Sequence, residues 1–234
     1  MTMKKLVQGL LDFQRHSLPA YRSTFARLAH GQTPDCLFIA CSDSRVVPNL
    51  FASTNPGDLF VMRNVGNMVP SSDSAGLSLS DRSEAAALEF SLLTLPVKDI
   101  VVCGHSSCGA MKAILSGYND QKTPNLSSWL DVGRPALAAF ERGGKIGEGL
   151  APYDRLSQYS VLQQLENLKT YPLVRERLAA GTLRLHGWWF DIGQARVHAY
   201  RPDLERFTPI DELEGERLLK ELEDNSEQAS SSAA

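Results

Sequence analysis

Three side chains in this sequence could together hold a metal ion: Cys41, His105 and Cys108. Two thiolates and an imidazole suit zinc, which takes soft and borderline donors in a tetrahedron. Three protein ligands rather than four leave one position for water, the pattern of a catalytic zinc and not of a structural one. Singly, a cysteine closing an apolar run reads as a small buried hydrophobe, and a loop histidine as a hydrogen-bonded surface group. Their company changes the reading. His105-Ser106-Ser107-Cys108 sets two ligands in one tight turn after Gly104, and Cys41 opens the string Cys41-Ser42-Asp43-Ser44-Arg45. Strand alternation would turn Asp43 and Arg45 to one side, giving a carboxylate able to accept a hydrogen bond from metal-bound water and a guanidinium to hold it. The plain alternative is a surface ion pair of little consequence. Cys36 and Cys103 lie inside apolar runs and read as packing residues.

The elements that must position these groups are legible in the hydrophobic pattern. Cys36 to Ala40, Leu59 to Met62 and Ile100 to Cys103 are continuous apolar runs of the kind found in strands covered on both faces. Between the last two, Ala85, Leu88, Leu92 and Leu95 share a helical face with Ser83 as the expected cap. Strand, helix, strand predicts an α/β fold with a mostly parallel central sheet flanked by helices. In such a sheet, ligands gather beyond the carboxyl ends of the strands, so Cys41 and His105 can converge across the intervening chain. Helices are predicted over Gly109 to Leu115, Ser127 to Phe140 and from Tyr159 to near Pro172. A late strand is expected over Leu183 to Phe190, paired with Val197 to Tyr200.

The flanks are read from the same pattern. Lys4 to Leu28 gives two helices broken at Pro19. Asp211 to Glu223 gives an acidic amphipathic helix, and Asn225 to Ala234 a disordered tail. The expected organisation is an N-terminal helical arm (1–33), a zinc-binding α/β catalytic domain (34–209), and a C-terminal acidic helix and tail (210–234).

Composition narrows the partners. The 234 residues carry a net charge of only −3, without the basic field that nucleic acid or an anionic membrane requires. No stretch approaches the ~20 apolar residues of a membrane span. The apolar run after Lys4-Lys5 is broken at Gln8, Asp12, Gln14 and Arg15, unlike a cleavable leader. The expectation is a cytoplasmic protein whose cysteines are ligands or packing groups rather than disulfides.

With both motifs on the page, the chain resembles the β class of carbonic anhydrases. That family's Cys-x-Asp-x-Arg and His-x-x-Cys motifs match Cys41-x-Asp43-x-Arg45 and His105-x-x-Cys108. The likeness runs from about Leu10 to Pro209, through Gly57 to Asn67 and Leu185-His186-Gly187-Trp188. The resemblance implies one zinc ion per chain and hydration of carbon dioxide to bicarbonate and a proton by zinc-bound hydroxide, the ion lowering the pKa of its water toward ~7. It implies that Asp43 orients the nucleophile while Arg45 keeps Asp43 aligned and ionised. It further implies that Gln32 reaches across a dimer interface to the substrate oxygen, and that Phe60 and Val65 wall a small apolar pocket. A homo-oligomer follows, a dimer or a multiple of dimers, with the N-terminal helices embracing the partner.

Two departures from the family pattern stand out. Glu89 is followed by Phe90 where the family often has tyrosine. Phe38 stands where one branch has the tryptophan of an inhibitory bicarbonate site, so that form of bicarbonate switching is predicted to be missing. Other readings are weaker. A cysteine-dependent transferase or phosphatase needs more backbone N–H groups between Cys41 and Arg45 than three residues supply. A structural zinc domain needs a fourth ligand, and only Cys103 is near. Carbonyl sulfide or carbon disulfide hydrolysis would use the same centre. The helix and tail over 211–234 are a candidate docking element for a larger assembly.

Overall fold

The computed structural model describes residues 2–231, and side chains as far as Asp224. Six strands form one sheet in the order β2-β1-β3-β4-β5-β6: β1 Cys36–Cys41, β2 Leu59–Asn64, β3 Asp99–His105, β4 Arg184–Asp191, β5 Arg196–Arg201 and β6 Arg206–Pro209. The first four are parallel, and β5 and β6 turn back antiparallel. The helices are α1 Met3–Asp12, α2 Leu18–Leu28, α3 Pro48–Phe51, α4 Ser83–Leu93, α5 Gly109–Leu115, α6 Pro124–Leu130, α7 Arg134–Glu141, α8 Pro152–Leu168, α9 Pro172–Ala179 and α10 Glu212–Ser231.

β1 shows why the sheet stays together. Leu37, Phe38, Ile39 and Ala40 are all at most 1% exposed, because successive side chains point to opposite faces and both faces are covered. Leu37 and Ile39 join one core with Val102, Val161 and Leu168, and Phe38 and Ala40 the other with Val46, Cys103 and Phe190. β2 departs from the expectation of burial on both faces: it is the sheet edge, and Val61 is exposed.

The arm forms with one difference from the sequence reading. α1 and α2 are joined by a single π-helical segment, Phe13–Ser17, and Pro19 sits in the first turn of α2, where its missing N–H costs nothing. No residue of α1 or α2 is buried, and Leu6, Leu10 and Phe13 face outward.

Other local expectations are corrected. Ser83 is not the cap of α4; Asp81 Oδ1 accepts the Ser83 N–H at 2.7 Å instead. The helix predicted over Ser127 to Phe140 is two, α6 and α7, separated by a 3-10 turn at Asp131–Gly133 with Pro135 starting the second. Pro172 not only follows α8 but opens α9. α10 continues through Asn225, where a disordered tail is expected, to Ser231, and 232–234 of that tail lie outside the described residues. Its first turns are tied to the sheet, since buried Glu214 accepts from Arg201 at 2.9 Å and Arg217 at 2.7 Å. Among the described residues no helix is long and apolar enough to cross a membrane.

Candidate metal centre

Cys41 closes β1 and His105 closes β3, its parallel neighbour in the sheet. Both therefore emerge at the same carboxyl edge, and the turn after His105 carries Cys108 back to them. The ligand atoms of Cys41, His105 and Cys108 all lie within 4.8 Å of one another. His105 and Cys108 are fully buried and Cys41 is 5% exposed. Among the described residues this is the one such group, and Cys103 stands apart, its thiol hydrogen-bonded to the Gly104 carbonyl at 3.4 Å within the core.

The donor set fits a cation. His105 Nδ1 lies 2.9 Å from the Ser106 carbonyl, so it carries the proton and leaves Nε2 as the lone-pair atom. Nε2 is buried without a hydrogen-bond partner, an arrangement that costs free energy unless something accepts that lone pair. The two sulfurs titrate as a pair. A hydrogen bond from Cys108 holds Cys41 as the thiolate against its burial, with further support from the Gly66 N–H at 3.3 Å. Cys108 is pushed up by the adjacent thiolate and by burial. The trio suits zinc, with no fourth protein ligand in the group.

Beside the trio, Asp43 and Arg45 meet through a turn rather than by strand alternation, because the chain leaves β1 at Cys41. The Arg45 N–H donates to Asp43 Oδ1 at 3.0 Å, and the guanidinium closes a two-pronged contact at 2.9 and 2.8 Å. These bonds hold the Asp43 carboxyl well below the usual carboxylate range. Asp43 Oδ2 approaches His105 Nε2 to 4.0 Å but lies outside the ligand set. Arg63 fixes the backbone of the same loop, donating to the Cys41 carbonyl at 3.0 Å and the Asp43 carbonyl at 2.7 Å.

The matching family model is described as carbonic anhydrase and covers residues 36–197. The chain belongs to the carbonic anhydrase family, a family of lyases, and within it to the β class. A carbonic anhydrase of Pseudomonas aeruginosa is 42% identical over 90% of this chain and 93% of its own length. Carbonic anhydrase 1 of Escherichia coli O157:H7 is 40% identical over 89% and 92%. Among solved structures, the β-carbonic anhydrase CcaA superposes with a TM-score of 0.79 at 39% identity, covering 88% of this chain and 98% of that one. One of two tetrameric β-carbonic anhydrases from Sordaria macrospora does so with a TM-score of 0.71 at 30% identity, over 84% and 95%.

The remaining residues singled out in the sequence are not all brought to the centre. Val65 follows Asn64, which pairs with Cys41, so it lies at the mouth of the site, 44% exposed. Phe60 pairs with Leu37, four positions short of Cys41 and so about 13 Å away at ~3.3 Å per residue. It packs instead on Phe90, ring centres 5.8 Å apart. Gln32 is exposed between the arm and β1.

Sequence reasoning missed the support behind the turn. Gly104 has no room for a side chain, since a Cβ would meet Val161 Cγ2 at 2.8 Å and Ser157 Oγ at 3.0 Å. Ser157 Oγ donates to the His105 carbonyl at 3.0 Å and accepts from Trp189 Nε1 at 3.2 Å. Ser106 Oγ accepts the Ile192 N–H at 2.9 Å. The only signal available beforehand was Gly104 itself, a small residue at a strand end where another backbone comes close.

Proposed function

We propose that this chain catalyses the reversible hydration of carbon dioxide to bicarbonate and a proton, with one zinc ion held by Cys41, His105 and Cys108. The observation that carries the reading is the buried trio, its Nε2 unpartnered, beside a carboxylate oriented by Arg45. Bound there, zinc would supply a Lewis acid that makes hydroxide available from water near neutral pH. The chain's residues do the rest. Asp43, kept ionised, accepts a hydrogen bond from the attacking oxygen and aims its lone pair at the substrate carbon. Arg45 prevents Asp43 from rotating into the ligand set. Val65 contributes an apolar wall suited to an uncharged gas. No histidine outside the trio is assigned to carry the proton away, and buffer takes that role.

The functional unit proposed is a homodimer or a multiple of dimers. Supporting it are the unburied apolar stripe of Leu6, Leu10 and Phe13, which an isolated arm would leave in water, and the tetrameric state named for the Sordaria relatives. In that unit Gln32 reaches across to bind the substrate oxygen, and Phe60, four register positions from its own centre, lines the pocket from the partner chain. The proposed setting is the cytoplasm, in keeping with four free cysteines.

A stopped-flow hydration assay on protein of measured zinc content tests the reading. The expected result is hydration that scales with zinc occupancy and is lost, along with the metal, in Cys41→Ser. Zinc-replete wild type without hydration overturns it.

A further inference from the structure

Between the two ligands of the His105-to-Cys108 turn, Ser107 has φ +57°, the left-handed region that residues with a side chain rarely adopt. Both of its backbone polar groups are held by charged side chains. Its N–H donates to Asp154 Oδ1 at 2.5 Å, and its carbonyl accepts from Arg45 Nη2 at 3.3 Å. Asp154 lies in the first turn of α8, where the unpaired N–H groups of the helix favour an acid. It is partly buried and fixed by its helix.

The same helix face reaches the turn at three levels. Asp154, Ser157 and Val161 are spaced to share that face. They meet, in order, the Ser107 N–H, the His105 carbonyl and the space left open at Gly104. Ser157 and Val161 set where β3 ends. Of the three, only Asp154 acts on Ser107, the left-handed residue between His105 and Cys108, from the side opposite Arg45's hold on its carbonyl.

We propose that Asp154 is a positioning residue for the metal centre, holding Ser107 left-handed through a charge-assisted hydrogen bond so that His105 and Cys108 converge before the ion binds. The inference rests on the zinc reading above. It assigns to a carboxylate with no contact to the metal a share of the affinity, as supporting partners of metal ligands commonly carry.

The test is zinc retention against graded dipicolinate, read by metal analysis, for wild type, Asp154→Ala, Asp154→Asn, Ser107→Gly and the Asp154→Ala/Ser107→Gly pair. Asp154→Ala is expected to weaken zinc binding roughly 10–100-fold, and Asp154→Asn, which keeps an acceptor oxygen, by less. Glycine adopts the left-handed region freely, so Ser107→Gly should restore most of the affinity in the Asp154→Ala background while barely changing it alone. A general loosening of α8 would not be repaired by a glycine in the turn. Wild-type retention in both Asp154 variants, or a defect that Ser107→Gly leaves untouched, overturns the proposal. If Asp154→Ala does not fold, a full-strength site in Asp154→Asn/Ser107→Gly beside a weakened Asp154→Asn supports it, and equal affinity in those two overturns it. A wild type that takes up no zinc overturns both this inference and the zinc reading; zinc-replete wild type with unaltered variants overturns only this one.

Discussion

Asp43 Oδ2 lies 4.0 Å from His105 Nε2, beyond hydrogen-bond reach yet facing the same small volume. The carboxylate stands beside the Cys41, His105 and Cys108 group without belonging to it. Asp43→Asn keeps the shape and removes the charged acceptor. The expected outcome is a loss of about 10²–10³ in kcat/KM for hydration with zinc content unchanged. Parallel stopped-flow and metal measurements check it, and loss of the metal would instead make Asp43 a ligand.

A second expectation concerns bicarbonate. Phe38 is enclosed by Phe51 and Trp188, ring centres 6.1 and 5.8 Å away, and Arg63 is already committed to two backbone carbonyls. The Phe38 ring itself offers an anion no donor. Initial rates of dehydration should follow a simple hyperbola in bicarbonate at each pH. A sigmoidal response would show that the switch exists in another form.

The arm offers a third. Replacing Leu6, Leu10 and Phe13 together by lysine puts charges on a stripe that its own chain leaves exposed. Sedimentation should show the assembly shifted to monomer, with activity falling alongside it, because Gln32 would no longer reach a neighbouring site. Retained mass would place the contact elsewhere.

Acid stability gives a fourth. Burial raises the Asp99 carboxyl, but hydrogen bonds from Arg184 at 2.7 Å and His186 at 2.8 Å outweigh it and hold the pKa at about 2. A depressed carboxyl stabilises the fold fully above its unfolded value of ~3.9 and loses that contribution as pH falls through the folded value. The pair is thus worth about 2 kcal/mol at neutral pH and roughly half of that near pH 3. Urea unfolding of Asp99→Asn should show a deficit of that order at pH 7 that narrows between pH 4 and 2. A deficit independent of pH would point to packing instead.

What could be read in advance follows from what each feature depends on. β1 and β3 announce themselves because a strand buried on both faces must be apolar throughout, and their order in a parallel sheet brings Cys41 and His105 to one edge. β2 is misread as covered, since Leu59 to Met62 looks the same whether or not a neighbour lies outside it. The break between α6 and α7 depends on Gly133 and Pro135, which a helical period alone passes over. β6 at Arg206–Pro209 is short and has no apolar run. Asp154 was invisible because one acid in the first turn of a helix is ordinary. Only the fold shows that it meets Ser107, 47 residues away in the sequence.

The pairing of β1 with β3 at the middle of the sheet also decides how the centre can be lost. Strand edges and helical arms fray at small cost, whereas amides on central strands exchange with solvent only when most of the structure opens. Cys41 and His105 end two strands that are each flanked on both sides. The proposed zinc binds only the folded sheet, so saturating zinc should lengthen the exchange lifetimes of amides in both strands by the linkage of binding to folding. The metal and the sheet would then share one clock.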